Sequence, residues 1–161
     1  MTAPAFAELV AATNFSFLRG ASHPTEMVGC AHGLGMAGIG IADRNTVAGV
    51  VRAHMAWKDL GAAQSSIRLI VGARLVVADG TPDIVAYPAT RHGWGRLTRL
   101  LTLGNRRAEK VDCILHLSDL LEHAKDLLLI ATGTDEAVLA QLAAARPGAV
   151  WLAATMHRAG A

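Results

Sequence analysis

The chain has 161 residues, of which 52% are hydrophobic and 17% charged, with a formal net charge of +2. That length suits one domain with a sizeable core, and so apolar a composition excludes wholesale disorder. The net charge is too small to announce a nucleic-acid binder by itself, and with aromatics at 4% the core must rest on Ala, Leu, Val and Ile.

The first ten residues, Met1 to Val10, lack a basic segment followed by a long apolar run, which argues against a secretory leader. Phe6 to Val10 reads as a short first strand, and residues 11–22 as a loop. Pro24, with Ser22 or His23 as cap, opens a helix running to about Gly33 or Gly35, because proline in the first turn sacrifices no hydrogen bond. Residues 38–42 form a strand that stops at Asp43-Arg44. Thr46 to Leu60 carries apolar residues at 47, 50, 51, 55 and 57, a helical period, and ends before Gly61.

Ile67 to Val77 is rich in β-branched residues, with Gly72 inside it. The turn Ala78 to Pro82 closes it, and Asp83 to Tyr87 is its return strand. A helix over 94–104, a basic stretch, a short helix around Leu117 to Ala124 and a strand over 127–131 follow. Thr134-Asp135-Glu136 caps a helix over 135–145, and Ala149 to Ala153 makes the last strand. This alternation predicts an α/β fold with a mostly parallel sheet in a single domain, 1–161, and the final strand leaves an uncovered edge.

No apolar run reaches the roughly 18 residues of a membrane span. Cys30 and Cys113 stand far apart, without Cys-x-x-Cys spacing, and are expected to be buried free thiols of a cytoplasmic protein. The seven histidines, His23, His32, His54, His92, His116, His123 and His157, show no local zinc-type spacing. Gly33-Leu34-Gly35 and Gly38-Ile39-Gly40 lack the third glycine of a phosphate loop. Ser16 has no accompanying base or oxyanion motif. Arg91, Arg96, Arg99, Arg106, Arg107 and Lys110 form the densest basic cluster, suited to phosphate contact, to packing against another part of a larger protein, or simply to a solvated face. Few aromatics accompany it.

Three segments carry a family resemblance: Phe6-Ala7-Glu8-Leu9 leading into Asn14 to Pro24, the stretch Ala42 to His54, and Gly95 to Lys110. In this order and spacing they resemble the N-terminal PHP (polymerase and histidinol phosphatase) domain of bacterial error-prone DNA polymerases, C-family enzymes related to the replicative α subunit. The resemblance implies a distorted, here incomplete, (β/α) barrel, lacking its last strands and the polymerase core. It also implies a parent nucleotidyltransferase acting in replication after DNA damage, with Mg²⁺ held by carboxylates absent from this segment. Its partners would be the remainder of the polymerase chain and, through it, DNA. The exposed barrel edge offers a route to self-association.

The same resemblance implies a metal site at the strand ends, with a His-x-His, an Asp-His and a Gly-x-Glu. Here those places hold Val10-Ala11-Ala12, Asp43-Arg44 and Gly72-Ala73-Arg74. Val, Ala and Arg offer a metal no lone pair, and a single carboxylate beside two guanidinium groups does not hold a divalent cation. The expectation is therefore a catalytically inert scaffold with a degenerate site at Val10, Ala12, Asp43, Arg44 and Arg74, and no cofactor in this segment. Two alternatives remain: a residual metal-dependent phosphoesterase or nuclease, and a stand-alone interaction module. Asp43 is expected either to pair with Arg74 or Arg44, or to lie beside arginines that are simply solvated. Phe15 and Phe17 are expected to plug the barrel end.

Overall fold

The computed structural model describes residues 5–61, 66–110 and 112–154. Within them six strands, β1 (Ala7–Ala11), β2 (Gly38–Arg44), β3 (Arg68–Leu75), β4 (Ile84–Pro88), β5 (Leu127–Ala131) and β6 (Val150–Leu152), form one sheet in chain order. The sheet curls into a half-barrel. β1, β2 and β3 pair in parallel, β4 runs antiparallel to both β3 and β5, and β6 is again parallel to β5. Five strands thus share one direction, and β4 is the expected return strand after the turn at 78–82.

The connecting helices are α1 (Pro24–Gly33), α2 (Val50–Asp59), α3 (Arg91–Arg107), α4 (Leu117–His123) and α5 (Glu136–Ala145). Local chemistry sets their starts. Glu26 reaches back to the His23 amide at 2.8 Å, the Thr90 side chain accepts from the Gly93 amide, and Asp135 accepts from Val138. Three helix boundaries differ from the sequence reading by three residues or more, one of them the start of α3, which lies at Arg91 and not at 94 because Thr90 caps the Gly93 amide. α2 begins at Val50, because Thr46 bonds the Ala48 amide and residues 46–49 turn instead of winding. α3 runs through Gly104 to Arg107, so Arg106 and Arg107 are helical and do not follow a break.

Side-chain alternation along the strands sorts the core into two faces. On the helix-covered face Ile39 and Ile41 of β2 pack with Val28 and Ala31 of α1 and Ala53 of α2. Farther along the same face, Leu75, Ile84 and Leu129 meet Leu97, Leu100 and Leu120 from α3 and α4. The opposite, concave face collects Val10, Ala42, Ile70, Val85, Tyr87, Leu128 and Ile130, with no helical residue among them. Tyr87 crosses this face and its hydroxyl donates to the Leu9 carbonyl, linking β4 to edge strand β1. The ring needs bare backbone beneath it: a Cβ at Gly40 would lie 2.4 Å from the Tyr87 hydroxyl oxygen, and one at Gly72 2.5 Å from the ring. Burial, with the Glu8 charge adding to it, raises the Tyr87 phenol pKa well above its ordinary value.

Candidate functional site

The parallel strands β1, β2 and β3 bring the implied metal positions to one end of the sheet. In their register Asp43 lies opposite Ala73, and Arg44 opposite Arg74. Neighbours along a strand point to opposite faces, so Asp43 and Arg44 part company. Asp43 shares the parity of Ile39 and Ile41 and faces the helices; Arg44 and Arg74 share the parity of Ala42 and Ile70 and take the concave side.

Asp43 is 1% exposed, and its carboxylate is occupied by the β1–α1 loop. Oδ1 accepts from the Thr13 amide at 2.7 Å and from the Ser16 hydroxyl at 2.6 Å; Oδ2 accepts from the Thr13 hydroxyl at 2.8 Å. Both hydroxyls pass the connection on, Thr13 accepting from the Phe15 amide and Ser16 from the Arg44 amide. Gly49, just ahead of α2, closes over the group, since a Cβ there would be 3.2 Å from Oδ2 and 3.0 Å from Phe15 and Pro24. Buried carboxylates persist where hydrogen bonds replace water, and these three do so without a counter-ion.

The expected pairing of Asp43 with an arginine gives way to this arrangement. Arg74 donates through Nε to Asp83 at 2.8 Å, on the segment entering β4, and Arg44 is exposed. The Asp43 oxygens are turned to the helix side and filled by Thr13 and Ser16. Thr13 was not singled out from sequence, and Ser16 was weighed only as a nucleophile and set aside. The available signal was the Thr13-x-x-Ser16 pair within an otherwise apolar stretch.

The positions that remain on the concave side, Val10, Arg44 and Arg74, do not fit a metal cluster: one is aliphatic and two are permanent cations. Ala12 has only a methyl group. Among the described residues no three His, Cys, Asp or Glu side chains converge as metal donors. A cleft of about 740 Å³ opens beside Arg44, bounded by Phe15, Phe17, Asn45, Asn105 and Lys110. Phe17 is 83% exposed and so does not plug the barrel end, while Phe15 is half-buried beneath the Arg52 guanidinium.

The basic cluster is divided by the fold. Arg107 clasps Asp119 of α4 with both guanidinium nitrogens, Nη2 reaching Oδ1 at 2.9 Å, and Asp119 also accepts from the His116 amide. Hydrogen bonding from Arg107, with help from the His116 amide and both neighbouring charges, outweighs burial and holds the Asp119 carboxyl below its usual range. Arg107 is thus a structural cation. Arg106 is exposed and Lys110 lies at the cleft beside Arg44, whereas Arg96 and Arg99 sit far up α3. His116 precedes α4 as its cap and His123 closes its last turn. Cys30 is exposed and Cys113 half-buried, contrary to the expectation of two buried thiols; both are free. His157 lies outside the described residues, and no helix among those residues is long and apolar enough to cross a membrane.

The PHP domain family model matches residues 8–157. The error-prone DNA polymerase of Brucella abortus biovar 1 (strain 9-941) is 52% identical over 160 residues, covering 95% of this chain and 15% of that protein. Error-prone DNA polymerase 1 of Rhizobium meliloti (strain 1021) is 60% identical over 125 residues, 78% of this chain and 11% of that one. The chain therefore spans a small part of the length of these relatives. Among solved structures, one described as a metal-dependent phosphoesterase from Bifidobacterium adolescentis superposes with a TM-score of 0.64 at 16% identity, covering 92% of this chain and 77% of that one. At that identity the likeness concerns the fold alone.

Proposed function

This chain belongs to the PHP domain family, and from that premise we propose that it is the scaffold domain of an error-prone DNA polymerase, with no metal chemistry of its own. The observation that carries the reading is the donor set. Where a metal-binding strand end needs imidazoles and carboxylates, this one has Val10, Ala12, Arg44 and Arg74, and its single carboxylate is committed to Thr13 and Ser16. No catalytic step is assigned to these residues. Asp43 instead braces the loop between β1 and α1 against β2. The parent polymerase would supply the nucleotidyl transfer and hold its own Mg²⁺, and the rest of that chain is this domain's partner. Apolar side chains exposed at Leu9, Trp151 and Leu152 support a packing role.

The test is metal content and hydrolysis. The purified 161-residue chain, incubated with Zn²⁺, Mn²⁺ or Fe²⁺ and then desalted, is expected to retain far less than one ion per chain and to leave a generic phosphomonoester intact. Stoichiometric metal, or hydrolysis abolished by a chelator, would replace the scaffold reading with a phosphoesterase.

A further inference from the structure

At the end of the sheet opposite Asp43, the outer surface of α3 faces the segment that leads from α4 into β5 across a groove of about 790 Å³. Four basic side chains line it: Arg91, Arg96 and Arg99 from α3, and Lys125 from across the groove. Two carboxylates, Glu122 and Asp126, and two imidazoles, His92 and His123, complete its polar wall. The ion pairs of the described residues join Arg74 to Asp83, Arg107 to Asp119 and His116 to Asp79, so none of the four cations is neutralised by one. The sequence cluster did not include Lys125, which only the fold brings to Arg96 and Arg99.

Three features specify the ligand. Arg91, Gly95 and Arg99 follow at four-residue steps along one helix face. Gly95 leaves the middle of that face bare, since an added Cβ would meet nothing within 4 Å, and an elongated ligand can lie close to the helix. From Arg91 to Arg99 the helix rises about 12 Å, the axial span of about three to four phosphates along one duplex strand. Finally, the lining has no aliphatic or aromatic hydrocarbon side chain. A protein partner needs apolar anchors in a dry centre, which this groove lacks, and its rings are limited to the His92 and His123 imidazoles, small platforms for stacking bases.

We propose that the α3 groove binds the phosphodiester backbone of a nucleic acid, without reading its sequence. The proposal stands on the groove's charge and shape and goes beyond the scaffold reading. The Glu122 and Asp126 carboxylates keep the affinity modest and the binding confined to the arginine side.

Fluorescence anisotropy on the full chain tests it, with a labelled single strand of about 20 nucleotides and the matching duplex as separate probes. With three to four phosphate contacts, affinity is expected to fall roughly 20- to 150-fold between about 50 and about 200 mM salt, less for the single strand than for the duplex. The pair R96A/R99A should weaken binding about tenfold at low salt and flatten the salt slope by about 1.5 to 2. R96K/R99K should retain most of it, and the charge-matched R52A/K58A, both exposed on α2, should change it less than about twofold. Whichever probe binds more tightly identifies the strand state. The proposal is overturned by a dissociation constant weaker than about 100 µM for both probes at low salt. It is also overturned by equal losses in R52A/K58A and R96A/R99A, by full binding in R96A/R99A, or by polyglutamate competing as well as unlabelled DNA. Far-ultraviolet circular dichroism confirms that each variant is folded. Metal content is untouched by these variants, so this proposal and the scaffold reading fail separately.

Discussion

Two buried carboxylates, Asp43 and Asp119, solve the same problem with different partners. Asp43, 1% exposed, is held by an amide and two hydroxyls, all neutral, and ties the β1–α1 loop to the end of β2. Asp119, 7% exposed, is held by the Arg107 guanidinium and the His116 amide, and ties the end of α3 to the start of α4. Neutral donors suffice where a local loop supplies hydrogen bonds to both oxygens. A guanidinium is used where two helices meet at a surface and its charge can stay partly hydrated. The contrast explains why Asp43 is a poor guide to chemistry: a carboxylate buried among neutral donors resembles a catalytic group in sequence yet has no free oxygen to offer.

Breaking the Asp43 site should have the larger effect. Asp43→Ala removes the common acceptor of three donors and leaves the Thr13 and Ser16 groups buried without it, a loss of about 3 kcal/mol. Urea denaturation should show the midpoint shift, and the difference from wild type should be nearly independent of salt, because no counter-ion is involved. A variant as stable as wild type would show that the loop is held by its other contacts.

Asp119→Ala should cost less, about 1–2 kcal/mol, because the cap at His116 is lost along with an ion pair that is partly screened by solvent. Here salt and pH matter. The Asp119 carboxyl is held below its usual value in the folded chain, so its contribution is complete above about pH 4 and disappears as pH falls through the lowered folded value. Acid titration of stability should therefore fall less steeply below about pH 4 in Asp119→Asn than in wild type. Identical slopes would remove Asp119 from the acid response.

The smallest effect sharpens the comparison from within. Ser16→Ala deletes one of Asp43's donors and the acceptor of the Arg44 amide, and should cost about 1 kcal/mol by the same denaturation measurement. A cost near that of Asp43→Ala would make Ser16, and not the carboxylate, the hub of the loop.

Much of the architecture was legible along the chain. A helical period located α2, start signals located α1 and α5, a β-branched run located β3, and the turn at 78–82 announced β4, the reversed strand among the described residues. The helix boundaries that failed did so where a side chain competes with the backbone, as Thr46 does ahead of α2, where a cap went unread, as Thr90 did ahead of α3, or where a glycine does not break a helix, as at Gly104. That Val10, Ala12, Arg44 and Arg74 offer a metal no lone pair was readable without coordinates, because it is a property of each residue.

Sequence alone therefore determined the α/β class, the family and the chemistry that each side chain can perform. Tertiary structure decided which way those side chains point and whom they meet. Asp43 and Arg44 are adjacent in sequence, but strand alternation places one under the helices and the other on the open face. Arg107 and Arg99 share a helix, but Asp119 occupies the first while the second shares a groove with Lys125, 26 positions further along the chain. Hydrogen bonds and Coulomb forces act over a few ångströms, and only the folded backbone sets which groups come that close.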